Sequence, residues 1–110
     1  MMDTMSKQVE RFLLLMGSST LLITERDRAN MDILLTMLGE LDKGIICESY
    51  GLLGTKQMTV TELAGKYKVA PEIIRDIVEK DIRKIAITPE WQMMKLQFPI
   101  LLKKRIETEN

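Results

Sequence analysis

No histidine occurs in these 110 residues, and cysteine occurs once, at Cys47. One thiol excludes an internal disulfide framework, and without histidine no cysteine–histidine metal cluster can form. Cys47 follows Ile45 and Ile46 in an apolar run, which reads as a buried thiol rather than a nucleophile. Glycine-rich phosphate loops are missing too, so no enzyme, no catalytic residue and no cofactor or metal site is expected. Aromatic residues make up 5% of the chain against 45% for all hydrophobic residues, so an aliphatic core of Leu, Ile and Met is expected. Neither sign of charge prevails, because 16 basic side chains balance 16 acidic ones. The balance is uneven along the chain, at net −3 over residues 1–54, +2 over 55–85 and +1 over 86–110. No apolar run is long enough to span a bilayer, and the run 12–16, with acids on both sides, makes no signal peptide. The expected address is the cytoplasm, with no membrane partner. Internal repeats, low-complexity stretches and linkers are also lacking, and this length implies one domain with one core.

What the chain has is helical periodicity. Ser6 is placed to cap a helix whose apolar positions Val9, Phe12, Leu13 and Met16 follow the i, i+3, i+4, i+7 rule. Gly17 reads as its stop, and Ser18, Ser19 and Thr20 as a loop. The short run 21–23 has no clear assignment. Thr24 with Asp27 opens a longer helix with a stripe of Met31, Leu34, Leu35, Leu38 and Leu41, and Asp42 opens a shorter one that Gly51 ends. Near the C-terminus, Thr88, Pro89 and Glu90 supply a cap, a first helical position and an acid matched to the dipole. Trp91, Met94 and Phe98 then mark one apolar face, with Trp91 as the anchor of the last helix against the core. Pro99 should break or kink that helix before Ile100. Lys103, Lys104 and Arg105 read as a solvated helix end. Six or seven helices and no strand make an all-α protein the expectation.

Residues 50–84 hold the most informative pattern. Thr59 and Glu62 have the spacing of a capping box. Leu63, Ala64 and Tyr67 give the short helix Val60–Tyr67 one apolar face. A turn follows, and Ile74, Ile77, Val78, Ile82 and Ile85 form the stripe of a second helix over 71–85. Small Ala64 suits a tight helix crossing, with Ile74 packed back against it. Two helices so crossed hold the second one out for a major groove.

On these residues the chain resembles region four of bacterial sigma factors. Y-G-L-L-G at 50–54, T-V-T-E-L-A-G-K-Y-K-V at 59–69 and I-I-R-D-I-V-E-K-D-I-R-K-I at 73–85 carry the likeness, and residues 31–46 are similar to the helical pair that opens the same region. The resemblance spans roughly 29–85, which leaves 1–28 and 87–110 as helical extensions around a helix-turn-helix unit at 29–86. It implies a transcription function, with double-stranded promoter DNA and RNA polymerase as partners. In the family, helices of the first part cradle an apolar helix of the polymerase flap, so some of the Met31–Leu41 stripe is a candidate groove as well as core. A homodimer through the C-terminal helices is a further expected contact.

The resemblance also points to a DNA-binding face made of Pro71, Glu72, Arg75, Asp76, Glu79, Lys80 and Arg83. In the family the first outward turn carries a basic residue, a glutamate, an arginine and a glutamine that touch bases and phosphates. Glu72 and Arg75 match. Pro71 and Ile73 replace basic residues, Asp76 stands for the glutamine and Val78 for a glutamate. Arg75 can still pair with guanine and Glu72 accept from cytosine, whereas Asp76 repels a phosphate. Arg75, Lys80, Arg83 and Lys84 are balanced by Glu72, Asp76, Glu79 and Asp81, so the helix counts as neutral and weak DNA binding is expected from it alone. Two local departures stand beside these. Ala70 replaces the usual capping hydroxyl, and Lys68 occupies a turn position that favours a left-handed glycine or asparagine.

The family's promoter-melting region has no counterpart in these residues. The expectation is therefore a small transcription regulator that reuses the region-four fold on promoter DNA, polymerase or both. Its rival is a protein-interaction module that binds polymerase or a sigma factor without reading DNA.

Overall fold

Three helices begin where a hydroxyl can accept from a backbone N–H three residues on. Thr24 Oγ1 accepts from Asp27 at 3.1 Å, Thr59 Oγ1 from Glu62 at 3.1 Å, and Thr88 Oγ1 from Trp91 at 3.1 Å. A computed structural model describes residues 2–18 and 21–107; the expected loop positions Ser19 and Thr20, like residues 108–110, lie outside them. Among the described residues the chain is all-α, with seven helices and no strand. They are α1 (Thr4–Ser18), α2 (Glu25–Thr36), α3 (Glu40–Tyr50), α4 (Val60–Tyr67), α5 (Pro71–Ala86), α6 (Pro89–Leu96) and α7 (Ile100–Glu107). None of them is long and apolar enough to cross a membrane.

Some boundaries differ from the sequence expectation. Asp3, not Ser6, caps α1: its Oδ1 accepts from the Ser6 N–H at 2.7 Å, while Ser6 itself is buried. Gly17 does not stop α1, which runs on to Ser18. A Cβ at Gly17 would lie 2.1 Å from the Tyr50 carbonyl oxygen, so glycine is there for the close approach of α1 to the end of α3. The long helix expected to carry its stripe to Leu41 ends at Thr36, and Gly39, at φ 96°, redirects the chain into α3. The stripe loses register at that bend. Leu41 is exposed, while Met31, Leu34 and Leu35 are buried. Residues 97–99 separate α6 from α7, and Pro99 cannot continue a helix from the turn before it.

The core is built around α1, which packs on α3, α5 and α7. Val9, Phe12 and Leu13 are fully enclosed. The core is mostly aliphatic, as expected, and within it both phenylalanines and the single tryptophan meet in one cluster. Phe12 stacks on Phe98 with ring centres 5.4 Å apart, and Trp91 meets both edge-on at 5.6 and 5.7 Å. Trp91 thus anchors α6 to α1. Two hydrogen bonds between residues far apart in sequence fasten the same side: the Arg11 guanidinium donates to the Ile106 carbonyl at 2.9 Å, and the Lys95 ammonium to Gln8 Oε1 at 3.0 Å. A smaller cluster of Leu63, Ala64 and Ile74 joins α4 to α5, and Val78 packs against both clusters.

Candidate nucleic-acid interface

The α4–α5 unit is assembled mostly from local chemistry. Thr59 and Glu62 close the capping box in both directions, because the Glu62 carboxylate also accepts from the Thr59 N–H at 2.9 Å. That bond holds the Glu62 carboxyl below its ordinary range. Helix α4 ends on Lys68 at φ 58°, ψ 47°, the left-handed conformation expected there, and the Val69 N–H reaches back to the Ala64 carbonyl at 3.0 Å. Ala70 is extended and gives no side-chain cap, and Pro71 starts α5. Ala64 and Ile74 share one buried cluster, as their spacing implied.

The outward face of α5 divides in two. Glu72, Arg75, Asp76, Glu79, Lys80 and Arg83 are exposed and Pro71 is half-buried. Pro71, Glu72 and Arg75 sit on the first turns. There Arg75 Nη1 lies 3.9 Å from Glu72 Oε1, an exposed pairing too loose to hold the guanidinium back from another partner. Asp76, Glu79, Lys80 and Arg83 instead line an open groove of about 410 Å³ together with Met2, Asp3 and Ser6 of the α1 start. Asp3 belongs to both helices: the Ser6 backbone and side chain lower its carboxyl most, and Arg83 adds to the effect. The second half of the expected DNA face therefore has a neighbour that the sequence did not reveal.

Asp81 is the main correction to that face. Counted with the outward charges, it makes α5 neutral; it is 0% exposed, and neither carboxylate oxygen has a hydrogen-bond donor. Burial pushes its carboxyl up to about 7, with the Asp42 carboxyl of α3 adding to the rise and Lys84 and Lys80 opposing it. The exposed charges of α5 are then Arg75, Lys80, Arg83 and Lys84 against Glu72, Asp76 and Glu79, a small basic surplus. The spacing held the signal. Asp81 is seven residues from Ile74, inside the stripe completed by Val78, Ile82 and Ile85.

A second polar tie also escaped the sequence. Buried Glu48 of α3 accepts from the Tyr67 hydroxyl at 2.7 Å and pairs with the Lys66 ammonium, both on α4. Burial works to raise the Glu48 carboxyl, but the bonds from Lys66 and Tyr67 outweigh it and hold it low. Cys47, next to it, is buried, and that burial raises its thiol, which keeps it a poor nucleophile.

Elsewhere, Ile33 and Leu34 of α2 and Met93 and Met94 of α6 floor an apolar groove. Ile100 and Leu101 of α7 are exposed. Set against family models, curated proteins and solved structures, the chain matches none of them.

Proposed function

We propose that this protein is a small cytoplasmic transcription regulator whose α4–α5 unit acts as a sigma region-four-like helix-turn-helix, binding promoter DNA, RNA polymerase or both. The observation that carries this reading is the presentation of α5. A capped α4, a left-handed Lys68 and the Ala64–Ile74 contact leave Glu72 and Arg75 outward on its first turns. In a helix of this kind the N-terminal residues approach base edges. Arg75 is the specificity residue, and Lys80, Arg83 and Lys84 offer phosphate contacts. With only a small basic surplus, duplex affinity is weak, and polymerase raises it by tethering the module at high effective concentration.

The start of α1 against Asp76, Glu79, Lys80 and Arg83 favours the second reading, an interaction module whose partner is polymerase or a sigma factor. Fluorescence anisotropy with promoter duplexes, with and without core polymerase, separates the two. For a DNA reader, Arg75→Ala weakens duplex binding by about 1–3 kcal/mol and relaxes preference at one base pair. Affinity also falls steeply with salt. A polymerase complex indifferent to salt and to Arg75→Ala selects the interaction module instead.

A further inference from the structure

We propose that Asp42 and Asp81 share one proton across the contact between α3 and α5, and that losing this proton to solvent loosens α5 from α3. An ionised carboxylate only accepts hydrogen bonds. Asp81 is fully enclosed on a helix that packs against α3, neither of its oxygens meets a donor, and the half-buried Asp42 carboxylate of α3 is close enough to act on it. Two ionised carboxylates at such a place would repel each other, with water reaching only the Asp42 side. One proton turns one of them into a donor and the other into its acceptor, which gives one of the two orphaned Asp81 oxygens a partner and removes one charge.

The surroundings leave the proton as the natural partner. On α5 itself, Lys84 and Lys80 pull toward ionisation, but both side chains are exposed and burial outweighs them. On the other helices packed against α5, several charged groups are engaged elsewhere. Asp3 of α1 is turned to Ser6 and Arg83, Glu10 accepts from the Tyr50 hydroxyl, and Arg11 donates to Ile106. On α4, Lys66 is paired with Glu48 and Glu62 closes its capping box; on α6, Lys95 donates to Gln8.

The site lies where movement would matter. Asp81 sits between Val78, which packs on both hydrophobic clusters, and Ile82 of the main core. Deprotonation there places a second charge at the seam between α4–α5 and the rest of the protein. The Asp81 carboxyl, raised in the folded chain, binds more protons folded than unfolded between its ordinary value and about 7. Its stabilising effect is therefore complete in acid and is lost as pH rises through neutrality. This holds whatever α5 binds.

Carbon-13 NMR of the aspartate carboxyls, recorded on the full chain as pH is raised, tests the pair directly. One carboxyl of the pair should titrate near neutrality. In Asp42→Asn the amide donates to Asp81, and that titration should move down in pH, although burial still holds it above the ordinary carboxylate range. Urea titrations give a second readout: the unfolding constant should rise at least about tenfold between about pH 5.5 and about pH 8.5, and Asp81→Asn should abolish the rise. The proposal is overturned if every aspartate has finished titrating below about pH 5, or if Asp81→Asn loses stability with pH as steeply as the parent.

Discussion

The Tyr67 hydroxyl donates to the Glu48 carboxylate at 2.7 Å, tying α4 to α3 beside the Lys66–Glu48 pair. An acceptor this enclosed is costly to leave unpaired. Tyr67→Phe keeps the ring and removes the donor, and should lower stability by about 1–2 kcal/mol in urea titrations. The pH effect runs opposite to that of Asp81. Glu48 is held below its ordinary value in the folded chain, so the stability it contributes is present above that value and lost as pH falls through the depressed one. A Tyr67→Phe protein as stable as its parent would rule the tie out.

Gly17→Ala sets two effects against each other. Helix propensity alone would stabilise α1 by about 1 kcal/mol. The new Cβ would instead fall 2.1 Å from the Tyr50 carbonyl oxygen, which is backbone and cannot swing away. Overpacking of this kind costs about 1–3 kcal/mol, so the thermal midpoint should drop. An increase would mean that α1 and α3 do not approach so closely.

Two substitutions around the α4–α5 turn should stabilise. Lys68 holds a left-handed backbone that glycine adopts without strain, so Lys68→Gly should gain about 0.5–1 kcal/mol. Ala70 is extended and lacks a capping side chain, so Ala70→Ser should add about 1 kcal/mol by accepting from the α5 N-terminus. Chemical denaturation of each variant and of the double variant measures both gains. They should be close to additive only if the turn keeps its shape.

If α5 reads DNA, its acids oppose the phosphates. Asp76→Gln removes one charge from the exposed face, and Asp76→Gln with Glu79→Lys changes it further. Non-specific duplex affinity should rise in that order, by roughly tenfold at low salt for the double variant, and the gain should shrink as salt is added. Gel-shift titrations at two salt concentrations provide the comparison. Failure of the parent and both variants to bind any duplex would turn the face over to a protein partner.

What the sequence by itself determined is the local layer: the caps at Thr24, Thr59 and Thr88, the left-handed Lys68, the stop at Gly51, the break at Pro99 and the outward direction of Glu72 and Arg75. Each depends on groups within about one helical turn of one another, so spacing along the chain is spacing in space. Only the tertiary structure decided that Gly17 meets Tyr50, that Asp81 is enclosed facing Asp42, that Glu48 is held by Tyr67, and that the α1 start borders the second half of the α5 face. Asp81 shows the limit most clearly. Its place in the isoleucine stripe was legible, but whether an acid there meets water, a lysine or another acid depends on which helix crosses over it. Those contacts join residues dozens of positions apart, and the path of the chain that brings them together is a property of the whole core rather than of any one segment.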